Sequence, residues 1–122
     1  MDWRFSNDLP IYQQIMSQIK TCIATGTWKP GDKLPSVREL ALEAEVNPNT
    51  MQKALSELER EGLLYSQRTA GRFVSDNASK AKVLQEEMME ECIKTFLEQM
   101  KKLGYTPEET VKILQKWERS KL

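Results

Sequence analysis

Apolar residues recur every four positions near the start of the chain, at Ile11, Ile15, Ile19 and Ile23. On a helix that spacing draws one stripe down a single face, and all four are expected in the core. Pro10 opens this helix at its first position, where a missing N–H costs nothing. Gly26, just past Thr25, suits the left-handed residue that ends it. Trp3 and Phe5 precede it in a short extended arm. Pro30-Gly31 forms a turn, with Pro fixing the first central residue and Gly supplying positive φ at the second. Leu34 adds a very short strand before Pro35.

Two closely spaced helices come next. Ser36-Val37-Arg38-Glu39 has the form of a capping box, in which Ser36 caps and Glu39 reaches back. Val37, Leu40 and Ala41 share one side of the helix that follows. Asn47-Pro48 restarts a helix, with Asn as cap and Pro at the first position. Met51, Ala54, Leu55 and Leu58 form its buried stripe, and Gly62 stops it. Only Glu45 to Asn47 separate the two helices, with Val46 available to plug the angle between them, which is the layout of a helix-turn-helix. Leu63-Leu64-Tyr65-Ser66 and Arg72-Phe73-Val74 are short β-prone runs around the polar stretch 67–71, and together they predict a hairpin. Asp76-Asn77-Ala78-Ser79 has turn and cap chemistry, which divides the chain into a domain 1–78 and a tail 79–122.

In the tail, Leu84, Met88, Cys92, Phe96 and Met100 lie at steps of four over a helix spanning 80–103, widened by Met89, Ile93 and Leu97. Leu103-Gly104 ends it. Thr106-Pro107-Glu108-Glu109 caps a last helix, whose apolar face is Val111, Leu114 and Trp117. Helices then account for about 77 of 122 residues, so the class is mainly α with a small β wing. A two-helix hairpin closes too little core to bury so wide an apolar surface alone. Pairing with a second copy across a two-fold axis is the natural solution. Leu84, Met88, Cys92, Phe96, Met100 and Trp117 are therefore the expected homodimer interface. A pocket for a small-molecule effector, lined by Met, Phe and Trp, is the less favoured use of the same surface.

Composition narrows the chemistry. The chain has no histidine, which excludes His-based acid/base catalysis, Ser-His triads and His-ligated zinc within it. Cys22 and Cys92 are too far apart in sequence for a CxxC redox or metal pair. The Glu86, Glu87, Glu90 and Glu91 cluster is a solvated face rather than a metal site. No catalytic constellation, metal or cofactor is expected. Apolar runs are only a few residues long, well short of the roughly 20 a membrane span needs. The opening Met-Asp-Trp-Arg lacks the order of a signal peptide. The expected address is cytoplasmic. Lys and Arg total 18 and Asp and Glu total 18, for zero net charge. Residues 1–78 hold 9 basic and 10 acidic residues, so a nucleic-acid reading must rest on where the charges sit.

Several spaced motifs, in order, closely resemble the GntR family of bacterial transcription regulators. They are Leu9-Pro10-Ile11-Tyr12-Gln13-Gln14-Ile15, and the run Trp28-Lys29-Pro30-Gly31-Asp32-Lys33-Leu34-Pro35-Ser36-Val37-Arg38-Glu39-Leu40-Ala41. Val46-Asn47-Pro48-Asn49-Thr50, Leu58-Glu59-Arg60-Glu61-Gly62-Leu63 and Gly71-Arg72-Phe73-Val74 continue the match, which covers about residues 9–75. The remainder is too short for the large effector domains of most branches, and a short two-helix tail is similar to the YtrA branch. Three positions depart from the family pattern. Glu45 stands where the family usually has glycine, and if left-handed it costs about 1 kcal/mol relative to Gly. Pro48 replaces a frequent basic residue. Thr69 and Ala70 replace parts of the usual glycine-rich wing tip.

The resemblance implies a winged helix-turn-helix that binds double-stranded operator DNA as a homodimeric repressor. Residues 48–61 would enter a major groove, and the wing at 67–72 would lie near the backbone or minor groove. The site residues it implies are Arg38, Asn47, Asn49, Thr50, Gln52, Lys53, Arg68, Gly71 and Arg72. Arg38 has a guanidinium fork that matches guanine O6/N7 or a phosphate. Asn49, Thr50, Gln52 and Lys53 sit where a recognition helix reaches base edges, and Gln52 suits adenine. Arg68 and Arg72 would run along phosphates. The alternative is a winged-helix protein-interaction module that has lost DNA binding, which zero net charge and the altered wing tip favour.

Overall fold

A computed structural model describes residues 1–121. The elements are α1 (Ile11–Ala24), α2 (Val37–Ala44), α3 (Pro48–Arg60), β1 (Leu64–Gln67), β2 (Gly71–Val74), α4 (Ala78–Lys102) and α5 (Pro107–Lys121). The fold is mainly helical with one two-stranded antiparallel hairpin. The chain divides into two compact units, Met1–Gln85 and the residues from 86 onward, with the division inside α4.

In the first unit, α3 packs against α1, α2 and β1. Its core is Ile15, Ile19 and Ile23 of α1, Leu40 and Ala41 of α2, and Met51, Ala54, Leu55 and Leu58 of α3, closed by Leu34, Leu64 and Val74. Leu84, from the start of α4, is also buried at 6% exposure. Ile11 was expected in the core but is only half-buried, because it begins α1 where the stripe runs off the end of the helix. Pro10 takes the cap position rather than the first helical one. Its ψ of 142° is extended, and its carbonyl accepts from the N–H groups of Gln13 and Gln14.

Local signals fix the helix ends. Ser36 Oγ accepts from the Glu39 N–H, and Glu39 Oε1 accepts from the Ser36 N–H. Glu45 closes α2 in the left-handed region, with φ 57°. The hairpin pairs Leu64 with Val74, Tyr65 with Phe73, Ser66 with Arg72 and Gln67 with Gly71. Phe73 is half-buried and stacks on Tyr65, with ring centroids 5.4 Å apart. Lys33 bridges to Phe73, and the Leu34 N–H donates to the Arg72 carbonyl at 2.9 Å, a minimal third strand. The N-terminal arm is held by Gln14 and Gln18, which bond the backbone of Ser6 and Arg4. The Met1 ammonium lies 2.8 Å from Glu43. That hydrogen bond, reinforced by the opposite charge, raises the pKa of the ammonium and lowers that of Glu43.

In the second unit, Thr106 and Glu109 form a reciprocal cap at 3.0 and 3.1 Å. Among its described residues only Thr110 is fully buried. Met89, Ile93, Phe96, Val111 and Leu114 are exposed, and Met88, Leu97 and Met100 are half-buried. No described helix is long and apolar enough to cross a membrane.

Candidate nucleic-acid interface

The capping turn of α2 presents Arg38 to solvent, with no ion pair among the described residues. At the start of α3, Asn47 Oδ1 accepts from the Asn49 N–H at 2.8 Å, so Asn47 is occupied as the cap. Asn49 is exposed and Thr50 half-buried. Gln52 Nε2 donates to Ser56 Oγ at 2.9 Å, which orients the amide along the exposed face of the helix. The Lys53 ammonium rests 4.0 Å from the centroid of the Tyr12 ring, a cation–π contact between α3 and α1.

At the hairpin, the Ala70 N–H donates to the Gln67 carbonyl at 3.1 Å and closes the turn. Arg68 stands exposed on it with no ion pair among the described residues. Gly71 has φ 110°, a backbone that calls for glycine; a Cβ there would lie 3.2 Å from Lys33 Cε, which the flexible lysine can relieve by a small shift. Arg72 differs from Arg68: its Nη2 donates to Glu59 Oε2 of α3 at 3.3 Å. A cleft of about 610 Å³ runs between the α2 capping turn and the hairpin, with Lys33, Ser36, Arg68, Gly71 and Arg72 in its walls.

Chemically, this places guanidinium and ammonium groups where phosphates can be neutralised, and two neutral amide side chains where base edges can be read. Lys33 and Glu59 stand in the motifs that carry the family resemblance but are not among the site residues it implies. Lys33 belongs to the cleft through the bridge to Phe73, and only its place between the Pro30-Gly31 turn and Pro35 hints at it. Glu59 enters through Arg72, a partner across the fold that its motif does not reveal.

Residues 11–74, more than half of the chain, match the family model "Bacterial regulatory proteins, gntR family". The chain belongs to the GntR family. It is thus a winged helix-turn-helix, DNA-binding transcription regulator of a family that is not one of enzymes. Among its GntR relatives, the uncharacterized HTH-type transcriptional regulator YhcF of Bacillus subtilis is 43% identical over 109 residues, covering 89% of this chain and 90% of that protein. The HTH-type transcriptional repressor YtrA of B. subtilis is 55% identical over 69 residues, 57% of this chain and 53% of that one. A GntR family transcriptional regulator from Listeria monocytogenes superposes with a TM-score of 0.84 at 38% identity, over 92% of this chain and 98% of that one. The DNA-binding domain of AraR, solved in complex with operator ORR3, matches at a TM-score of 0.53 and 35% identity, over 62% of this chain and 88% of that one. Within the GntR fold, every site residue expected from the sequence lies in the first unit, and the expected interface residues other than Leu84 lie in the second.

Proposed function

We propose that the protein is a cytoplasmic, homodimeric repressor of the YtrA type, acting on a near-palindromic operator. The DNA-binding module would run past the boundary expected at residue 78 into the start of α4, whose Leu84 is buried, and the residues from 86 onward would be the dimerising tail. The observation that carries the reading is the cleft between capping turn and hairpin. It has Arg68 in its wall, and Arg68 and Arg38 both lack an ion pair among the described residues. Cations left without partners on a domain of balanced charge are suited to an anionic surface. Arg38, Asn49, Thr50, Gln52 and Lys53 would face the major groove, with Arg68 beside a phosphate and Gly71 letting the backbone come close. Repression is supported by the name of the YtrA relative, and DNA binding by the operator complex of AraR.

The tail supports the dimer. The apolar residues of α4 and α5 in the second unit stay exposed or half-buried, Phe96 at 37% exposure and Trp117 at 57%. A second copy covers such a face on both subunits at once, and a two-fold dimer matches a two-fold operator. The groove of about 300 Å³ beside Cys92 and Phe96 on α4 suits the packing of a partner helix better than an enclosed effector site.

Salt titration of binding to random-sequence duplex tests the DNA reading. The logarithm of affinity should fall steeply with the logarithm of salt, by about 0.9 per phosphate neutralised. Footprinting should then find protection over a pseudo-palindrome upstream of the coding region. A flat salt dependence would instead favour a protein-interaction module.

A further inference from the structure

The ion pair between Arg72 and Glu59 links the hairpin to the recognition helix in a way that backbone pairing does not. A two-stranded hairpin is marginally stable by itself and has little to fix its tilt. Here the base of the hairpin is tied by backbone bonds. The Val74 N–H donates to Asp32 at 2.8 Å, and the Ser75 N–H to Leu63 at 2.9 Å. Arg72 sits nearer the tip, next to Gly71. Its carbonyl accepts from Leu34 while its guanidinium reaches Glu59 on α3 at 3.3 Å. The pair is largely screened from water, with side-chain exposures of 16% for Arg72 and 27% for Glu59. An exposed pair of this kind is worth little, whereas a part-buried one is less weakened by solvent and salt. Swinging the guanidinium out to a phosphate would leave a half-buried carboxylate without its cation.

We propose that Arg72 is a positioning residue rather than a DNA contact. Through Glu59 it sets the angle of the hairpin against α3, so that Arg68 and the first turns of α3 meet one duplex together. The proposal rests on the DNA-binding reading above. It also assigns Glu59 a function: a carboxylate near DNA that supports binding because it holds Arg72 in place.

The sign of one substitution separates the two roles. Glu59→Gln removes a negative charge from a DNA-facing domain, so electrostatics alone would tighten binding to random-sequence duplex. The positioning role predicts weaker binding, by about three- to tenfold, as is usual for coupled neighbours. Arg72→Gln should weaken binding by the same factor, and because both variants act by misplacing Arg68, they should change the salt slope alike. The exchanged pair Glu59→Arg with Arg72→Glu should recover most of the affinity, and Arg72→Lys part of it. Amide hydrogen exchange over 67–71, measured on the full chain without DNA, should speed up in both single variants and slow again in the exchanged pair. A salt slope reduced by about 1 in Arg72→Gln but not in Glu59→Gln, together with tighter binding by Glu59→Gln, would make Arg72 a phosphate contact and overturn the proposal. If the unaltered chain shows no salt-dependent binding, the DNA reading fails. The hydrogen-exchange result then decides separately whether the pair holds the hairpin.

Discussion

The two units carry apolar stripes of the same period and treat them in opposite ways. In the first, Ile15, Ile19 and Ile23 of α1 and Leu55 and Leu58 of α3 vanish into a common core. In the second, Met89, Ile93 and Phe96 of α4 and Val111 and Leu114 of α5 stay in solvent. A single helix shows the change: Leu84 is buried, while Phe96, on the same four-residue step, is exposed. Periodicity therefore marks which face of a helix wants cover. It does not say whether the chain supplies that cover itself.

Removing the second unit is the strongest way to break this contrast. A chain ending at Gln85 keeps every core residue of the first unit, including Leu84, and should remain folded and monomeric. Its affinity for a two-half-site operator should fall by about 10²–10⁴ as the effective-concentration gain is lost. Sedimentation and duplex titration of both lengths decide it, and a shortened chain that still dimerises and binds tightly would place the interface in the wrong unit.

Point substitutions on α4 sharpen the contrast. Leu84→Ala should destabilise the first unit by about 2–5 kcal/mol, as a buried Leu-to-Ala change does, seen as a lower urea midpoint. Phe96→Ala should hardly move that midpoint and should instead raise the dimer dissociation constant. Equal effects of the two on folding would erase the distinction between the units.

A smaller effect isolates the DNA-facing surface. Arg38→Ala should weaken operator binding by about 1–3 kcal/mol, with dimer and melting temperature unchanged, because Arg38 is exposed and supports no packing. Unchanged affinity at two salt concentrations would remove it from the site. Smaller still, Glu45→Gly should stabilise the first unit by up to about 1 kcal/mol, since Gly accepts the left-handed backbone that Glu resists. A loss of stability on thermal unfolding would mean that the Glu45 side chain contributes something the backbone argument omits.

Features that depend on neighbours in sequence are legible in the sequence alone. The Ser36–Glu39 and Thr106–Glu109 boxes and the Asn47 cap are each set within a few residues of chain, whereas the left-handed backbone of Glu45 is signalled only by the glycine usual there in the family. The DNA-facing candidates were legible chiefly through the family resemblance. What escaped were pairings made by the fold. Arg72 and Arg68 look alike as hairpin arginines, and only the placement of β2 near Glu59 tells them apart. Lys53 reads as a free surface cation until α1 brings Tyr12 beneath it. Leu84 fits the tail's stripe equally well, and its burial depends on which unit the start of α4 joins.

The bond from Gln52 to Ser56 has a thermodynamic consequence. A long amide side chain that waves freely in the unbound protein must be frozen when it meets a base, at roughly 0.5–1.5 kcal/mol in lost rotamer freedom. Here folding has already narrowed that choice, so a duplex read by Gln52 would meet a rotamer set in advance. Calorimetry on Ser56→Ala should show this as a more unfavourable entropy of association with little change in the heat, and an unchanged entropy would mean that the bond orders nothing the duplex needs.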